Sequence, residues 1–326
     1  NPRLRFLFSL LGLIILWTSG YALSFVHWTK LVGNPIQVSL IQANIPQQIK
    51  WEPQYLQASL IHYQQLTQSH WNSRLIIWPE AAIPLLQEKA GYFLKQLNKQ
   101  ARQHKTTIIT GIPIEKDFQY YNAMIALGLD QASYYKQRLV IFGEYLPWWL
   151  IWAHGLLNLL DIPMSSFSPG PKHQALFRVA NLNLGPFICY EIAYPELTRH
   201  NAEKADFIAT LSNDGWFGHS IGPHQHLQMV QMRALETGKW IIRATNNGVS
   251  ALIDPHGHIR QQAPQFKQAI LRGTVYVTEG HTPYSRFANW PVLILSFVLL
   301  AWTRWRVLRQ AKSLLPSTLA PTPPNQ

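Results

Sequence analysis

Three polar residues lie at or near the ends of apolar, strand-like runs, and their types suit covalent acyl transfer. Glu80 ends "RLIIWPE", Lys136 lies within "SYYKQRLV", and Cys189 ends the apolar run in "LGPFICY". The thiolate is the reactive form of cysteine, but a free thiol has a pKa of about 8.5, so a base must take its proton. A carboxylate is such a base when an apolar site raises its proton affinity. A lysine ammonium and a backbone N–H would hold the oxyanion of the tetrahedral intermediate.

Each of these residues also has a less specific interpretation. A single cysteine is most often a small buried apolar residue. Glu80 follows Trp-Pro and could serve a helix N-terminus or a solvated turn, and a strand lysine such as Lys136 usually lies on a solvated face. Glu144 and Glu191 are equally ambiguous. Spacing alone leaves open whether the separated residues meet in space.

Residues 36–280 alternate strand-like and helix-like patterns, which predicts an α/β domain with loops at strand ends that carry function. The predicted strands are 36–44, 74–80, 106–114, 122–128, 132–140, 174–190 with a break at 181–183, 205–213, 240–246 and 249–255. The predicted helices are 53–68, 84–104, 193–203 and 222–238.

The composition indicates that part of the chain lies in lipid. Of 326 residues only 13% are charged, whereas soluble domains carry about 25%. The uncharged stretches 6–26 and 287–303 would form helices of about 32 and 25 Å, against a hydrocarbon core of about 30 Å. They are predicted transmembrane helices. The alternative for the first stretch is a signal peptide.

The net charge of +12 is partly explained by topology. Basic residues flank the two stretches: Arg3, Arg5, Arg304, Arg306, Arg309 and Lys312. The positive-inside rule then places both chain ends in the cytoplasm and the region between them on the opposite side, the periplasm of a Gram-negative bacterium. No long basic block remains in the middle, so a nucleic-acid partner is not expected.

Metal and disulfide chemistry are not predicted. The single cysteine excludes an internal disulfide and a Cys-based zinc cluster. His219, His224 and His226 lack the helical HExxH spacing of a zinc site. We therefore expect neither a metal nor a cofactor.

A tryptophan-rich stretch lies within 141–168 and contains "PWWLIW", with Trp148, Trp149 and Trp152. It predicts an arm that dips into the membrane and lets lipid tails reach Cys189. The alternative is a core helix.

Longer motifs resemble a known family. "IIWPEAAIP", "YYKQRLVIFGEYLP" and "ICYEIAYPE" resemble the three active-site motifs of the nitrilase (carbon–nitrogen hydrolase) superfamily. "QANIPQQIKW", "SNDGWFG" and the flanking apolar spans resemble its membrane branch, the apolipoprotein N-acyltransferases. The resemblance runs from about residue 36 to 303. It implies an αββα sandwich flanked by transmembrane helices, with the catalytic domain on the periplasmic side of a bacterial inner membrane.

The resemblance also implies roles for the motif residues. Cys189 would be the nucleophile, Glu80 its general base, and Lys136 the oxyanion-binding residue, helped by the N–H of Tyr190. A fatty acyl chain would move from a phospholipid to Cys189 as a thioester. It would then move to the α-amine of an N-terminal diacylglyceryl-cysteine. The implied partners are a phospholipid donor, a diacylated apolipoprotein acceptor and membrane lipid.

Three further residues match the branch. Glu144 and Glu191 match acidic positions of its active site, and Trp51 matches a tryptophan associated with substrate handling.

The branch carries several membrane helices before its catalytic domain, so either this sequence is truncated or its membrane part is reduced. The implied regions are a transmembrane helix and linker at 1–35, the catalytic domain at 36–280, a transmembrane helix with a basic cytoplasmic flank at 281–312, and a disordered tail at 313–326.

Three other functions remain open. The same triad with water as the second nucleophile would make a membrane-tethered amidase or nitrilase. A catalytically inactive binding or scaffold protein would not need an intact triad. A purely structural membrane protein would explain the apolar spans but not the motifs.

Overall fold

The computed structural model describes residues 2–145 and 167–313. The predicted tryptophan arm, with Trp148, Trp149 and Trp152, and nearly all of the predicted tail lie outside these residues. Both therefore stay predictions.

The described segments contain strands and helices in alternation. The strands are β1 (Thr29–Gln42), β2 (Leu75–Ile77), β3 (Thr107–Lys116), β4 (Gln119–Gly128), β5 (Ala132–Tyr135), β6 (Phe177–Val179), β7 (Leu182–Ile188), β8 (Phe207–Ser212), β9 (Ile241–Thr245), β10 (Ala251–Ile253), β11 (Ile259–Gln262) and β12 (Ala269–Gly280). The helices are α1 (Pro2–Ser24), α2 (Gln47–Lys50), α3 (Pro53–Gln68), α4 (Gly91–Gln103), α5 (Pro195–Ala202), α6 (Gly222–Thr237), α7 (Pro283–Phe287) and α8 (Trp290–Ser313). Short 3₁₀ helices cover Cys189–Ala193 and Asp214–Phe217.

The strands form two mixed six-stranded sheets in the described part of the chain. One has the order β12-β1-β2-β3-β4-β5 and the other β11-β10-β9-β8-β7-β6. In the first sheet β1, β2 and β3 are parallel, and in the second β7, β8 and β9 are parallel. The neighbours at the edges pair antiparallel.

The main core lies between the two sheets. Leu40 and Ile109 of the first sheet belong to the same buried cluster as Phe207 and Ile242 of the second. The outer faces are covered by helices: α3 and α4 pack on the first sheet and α6 on the second. The layers therefore run helix, sheet, sheet, helix, and the predicted αββα sandwich is confirmed.

The strands carry apolar side chains on both faces because both faces of each sheet are covered. Along β1, Val38 and Leu40 pack between the sheets, whereas Ile41 packs under the outer helices, the two-residue alternation of a strand. The short β2, Leu75–Ile77, is apolar throughout and buried on both faces, as expected for a parallel central strand.

The strand boundaries differ from the prediction at two places near the site. β1 begins at Thr29 rather than at residue 36, and the strand predicted at 132–140 ends at Tyr135. Lys136 therefore follows a strand instead of lying within one. β11 and β12 were not predicted, and β12 pairs antiparallel along most of β1.

Within residues 2–145 and 167–313, two helices are long and apolar enough to cross a membrane, judged by length and composition. They are Phe6–Ser24 in α1 and Trp290–Gln310 in α8, and neither apolar stretch is buried inside the protein. The contacts divide the chain into two units, residues 1–285 and 286–326. The first contains the sandwich and the second contains α8.

Candidate active site

A cavity of about 450 Å³ contains all three residues of the predicted triad. This volume is within the range of about 300–1,000 Å³ that small-molecule sites occupy. The side chains that line it are those of Trp51, Glu80, Ala81, Pro113, Asn122, Lys136, Val140, Phe142, Glu144, Phe167, Cys189, Tyr190, Asn213, Trp216, Phe217 and His226. Six of the seven predicted site residues line this cavity, and the seventh, Glu191, lies outside its lining.

The turn that carries Glu80 follows β2 and packs closely against β3. Trp78 N–H donates to the carbonyl of Ile109 at 2.8 Å. Ala81 has a positive φ of 47°. A Cβ at Gly111 would lie 2.4 Å from the backbone nitrogen of Ala81. Glycine at this strand position therefore allows the backbone beside Glu80 to approach β3.

The ammonium of Lys136 lies between two carboxylates. Its Nζ is 2.8 Å from Glu144 Oε1 and 3.4 Å from Glu80 Oε1. Asn122 Nδ2 donates to both of these oxygens at 2.8 Å. Burial alone would lower the pKa of Lys136, but its electrostatic interactions, of which that with Glu80 is the largest, outweigh burial and raise the pKa. The lysine therefore stays charged at every physiological pH.

Glu80 has a donor for each carboxylate oxygen. Its Oε2 accepts the backbone N–H of Asn213 at 2.8 Å, and its Oε1 accepts from Asn122. The neighbouring backbone is held as well, because the buried Lys50 Nζ donates to the carbonyl of Glu80 at 2.9 Å. Burial lowers the pKa of Lys50 to about 8.

Cys189 begins a 3₁₀ helix directly after β7 and has a strained backbone. Its φ is +55°, a region that costs a non-glycine residue about 1–3 kcal/mol and that clusters at active sites. Burial, and next the charge of Glu80, raise the pKa of the Cys189 thiol to about 12, although Lys136 lowers it. The resting sulfur is therefore a thiol, and its attack needs a base at the moment of reaction.

Glu191 connects the turn at Cys189 to the segment after β5. Its carboxylate accepts the backbone N–H groups of Ile188 at 2.8 Å, Gln137 at 2.5 Å and Arg138 at 3.1 Å. The hydroxyl of Tyr134 donates to it at 3.0 Å. Burial raises the pKa of Glu191 to about 7, against the opposing effect of the backbone donors. It lies outside the cavity, so its geometry favours a supporting role over contact with substrate.

Replacing Glu191 by glutamine should destabilise the fold. The new NH₂ group would face backbone N–H donors, and leaving a buried donor unsatisfied costs about 1–3 kcal/mol. Chemical denaturation measures the free energy of unfolding. The exposed Glu203 provides the control Glu203→Gln, which should stay within about 0.5 kcal/mol of the parent. Equal stability of the two variants would contradict the connecting role.

The three remaining predicted residues, Glu144, Trp51 and Tyr190, all line the cavity. Glu144 accepts the backbone N–H of Val140 at 2.8 Å in addition to Lys136, which fixes it beside the ammonium. Trp51 and Tyr190 are 47% and 42% exposed, so both belong to the open part of the cavity wall.

Sequence reasoning missed several residues of the site. Lys50 and Asn213 lie inside the motifs "QANIPQQIKW" and "SNDGWFG", which were recognised without a role for these two residues. No sequence feature indicated a role in the site for Asn122, which simply begins an apolar run. His226 was weighed as a metal ligand, a role that its spacing argued against, and was assigned no other role, yet it lines the cavity beside Cys189.

The chain is similar to known proteins over most of its length. The family model for carbon-nitrogen hydrolase matches residues 37–279. The apolipoprotein N-acyltransferase of Azotobacter vinelandii is 43% identical over 318 residues, which are 94% of this chain and 61% of that protein. That of Coxiella burnetii is 40% identical over 297 residues, 90% of this chain and 61% of that protein. The chain thus spans 61% of the length of these curated relatives.

Solved structures share the fold at low sequence identity. A carbon-nitrogen hydrolase from Helicobacter pylori G27 superposes with a TM-score of 0.56 at 14% identity, covering 76% of this chain and 89% of that one. Saccharomyces cerevisiae Nit3, a nitrilase-superfamily member, has a TM-score of 0.56 at 18% identity, covering 76% of this chain and 92% of its own. The match of the family model over most of the chain shows that the chain belongs to the carbon–nitrogen hydrolase family.

Proposed function

We propose that this chain is an apolipoprotein N-acyltransferase. It would move a fatty acyl group from a phospholipid, through a thioester on Cys189, to the α-amine of an N-terminal diacylglyceryl-cysteine. The observation that carries the proposal is the buried pair of Glu80 and Lys136, 3.4 Å apart, in one cavity with Cys189. The similarity to proteins named apolipoprotein N-acyltransferase supports the substrate classes.

In the first half-reaction Glu80 takes the thiol proton while the sulfur of Cys189 attacks an ester carbonyl of the phospholipid. The oxyanion forms beside the Lys136 ammonium and the backbone N–H of Tyr190. The intermediate collapses, the carbon–oxygen ester bond breaks, and Glu80 returns the proton to the departing lysophospholipid. A thioester then remains on Cys189.

In the second half-reaction the α-amine of the diacylated cysteine attacks the thioester carbonyl. The same groups hold the oxyanion. The carbon–sulfur bond breaks, Glu80 takes a proton from the amine, and the sulfur of Cys189 recovers it. The products are an amide and the free thiol, so the site returns to its starting state without a cofactor.

The cavity wall favours a lipid substrate over a small amide. Large apolar side chains line the cavity and are also exposed: Trp51, Phe142, Trp216 and Phe217. Exposed apolar patches of this kind mark sites for lipid or protein contact. Exclusion of water by such a surface would favour aminolysis of the thioester over hydrolysis.

We infer that α1 and α8 anchor the domain in the inner membrane. Their candidate spans are unburied, and the basic residues Arg304, Arg306 and Arg309 follow the uncharged stretch 287–303. The domain division at 1–35, 36–280, 281–312 and 313–326 belongs to the same proposal, as does the periplasmic position of the catalytic domain.

The direct test supplies both substrates. The purified chain in detergent receives phosphatidylethanolamine and a synthetic peptide whose N-terminal cysteine carries diacylglycerol, and mass spectrometry follows N-acylation of the peptide. The parent should form the triacylated peptide and Cys189→Ala should not. Release of ammonia from small amides, without peptide acylation, would instead favour the amidase that the family name also allows.

A further inference from the structure

A buried polar cluster lies against Cys189 and takes no part in the steps above. It consists of Ser212, Asp214, His226 and Arg243, each at most 4% exposed. Arg243 Nη2 is 2.6 Å from Asp214 Oδ2, and Ser212 Oγ donates to Asp214 Oδ1 at 2.8 Å. A buried ion pair is weak evidence for stability, because desolvation offsets the attraction. The cluster's contact with Cys189 points instead to a role in the site.

His226 connects this cluster to the backbone of the nucleophile. Its Nε2 lies 3.2 Å from the carbonyl oxygen of Cys189. A carbonyl only accepts hydrogen bonds, so Nε2 must carry a hydrogen. On the other side of the ring, Nδ1 lies 3.2 Å from Arg243 Nη2 and 3.3 Å from Asp214 Oδ1.

The surrounding charges select one form of the ring. Burial, and next the charge of Arg243, lower the pKa of His226, which favours the neutral imidazole. Burial alone would raise the pKa of Asp214, but the charge of Arg243, the largest of the opposing interactions, helps to hold the pKa well below its usual range. The neutral ring then donates from Nε2 and accepts at Nδ1 from Arg243, whose charge is shared with the ionised Asp214.

The carbonyl that His226 contacts belongs to the peptide unit that carries the oxyanion donor. The C=O of Cys189 and the N–H of Tyr190 lie in one plane, so a bond that fixes the oxygen also fixes the direction of the N–H. The first N–H groups of a helix have no acceptor within it, which leaves that of Tyr190 for substrate. A bond at the carbonyl also polarises the peptide and strengthens its N–H as a donor.

We propose that His226 is a positioning residue for the oxyanion site. Its Nε2–H holds the Cys189–Tyr190 peptide, which the positive φ of Cys189 leaves strained, in the orientation that presents the Tyr190 N–H to the substrate. Asp214 and Arg243 fix the orientation and tautomer of the ring. The inference rests on the proposed function only in taking Cys189 as the group that is acylated.

Two amide variants form a matched test. In His226→Gln the amide nitrogen can take the place of Nε2 and donate to the carbonyl, whereas in His226→Asn it reaches only the place of Nδ1. Acylation of Cys189 by p-nitrophenyl butyrate passes through an oxyanion and is followed as a burst of nitrophenolate. Alkylation by iodoacetamide displaces iodide at carbon and forms no oxyanion, so it reports the thiol alone.

Acylation should be slowed about tenfold or more in His226→Asn, since loss of an oxyanion donor costs about 10²–10³ in rate. His226→Gln should acylate within a few-fold of the parent, and all three proteins should alkylate alike. Acylation of His226→Asn at the parental rate would overturn the proposal, and so would a parallel loss of alkylation. His226→Leu is the second variant if His226→Asn has a lowered Tm.

The activated ester separates this test from that of the proposed function. A parent that reacts with the ester but not with phospholipid would refute the lipid substrate and still test His226. A parent whose Cys189 is not acylated by the ester at all would overturn both.

Discussion

Replacing Glu80 by glutamine should lower the rate of Cys189 acylation by about 10²–10⁴, the contribution of general acid–base catalysis. The neutral amide keeps the size of the side chain and, through its oxygen, the contact with Asn122, but its NH₂ group faces the backbone N–H of Asn213. It cannot take the thiol proton. Burial, the largest cause of the raised pKa of the parental thiol, remains when Glu80 is replaced, so little thiolate forms without a base. Burst kinetics with p-nitrophenyl butyrate measure the rate.

The pH dependence of the residual activity provides a second readout. Without Glu80, acylation should depend on free thiolate and rise about tenfold per pH unit below the thiol pKa. The parent should show a weaker dependence, because Glu80 removes the proton within the site. Glu203→Gln is the control and should match the parent. Parental rates in Glu80→Gln would exclude Glu80 as the base.

Replacing Lys136 by methionine should have two effects of different origin. Acylation should fall by about 10²–10³, as for loss of an oxyanion-binding group. The fold should also lose about 3–5 kcal/mol, the usual effect of breaking a buried ion pair and leaving a charge without its partner. Denaturation and burst kinetics measure the two effects, with the exposed Lys99 supplying the control Lys99→Met.

A double variant separates the two effects. Adding Glu144→Gln to Lys136→Met removes the carboxylate that lies 2.8 Å from the ammonium in the parent. Stability should return in part, because one of the two carboxylates that lose the ammonium is gone while Glu80 remains, but acylation should not return. If the double variant recovered acylation together with stability, Lys136 would have only a structural role.

The parts of the fold that depend on local pattern could be predicted from the sequence. Strand β2 and the last five residues of β7 are buried on both faces and therefore appear as apolar runs, which placed Glu80 and Cys189 at strand ends. Helix α3 was predicted at 53–68 and has these bounds, because Pro53 can occupy the first helical turn and the pattern that follows is amphipathic. The break in the strand predicted at 174–190 is also present between β6 and β7.

The parts that depend on distant contacts could not be predicted. In β12 only Val275, Val277 and Thr278 are buried, and Arg272 and Gly273 interrupt the alternation. Its partner β1 lies at the other end of the sandwich sequence, so no local signal indicates the pairing. The roles of Asn122 and His226 likewise depend on partners far along the chain. Asn122 contacts Glu80, and His226 contacts the carbonyl of Cys189.

Intact-protein mass spectrometry tests the central claim that Cys189 carries the acyl group. The purified chain is incubated with dipalmitoyl phosphatidylethanolamine in detergent micelles, and its mass is recorded before and after addition of the diacylated peptide. We expect a gain of one palmitoyl group on Cys189, its removal by neutral hydroxylamine as expected for a thioester, and its discharge to the peptide amine. A folded parent without the adduct, or the same adduct in Cys189→Ala, would contradict the assignment of Cys189 as the acylated residue.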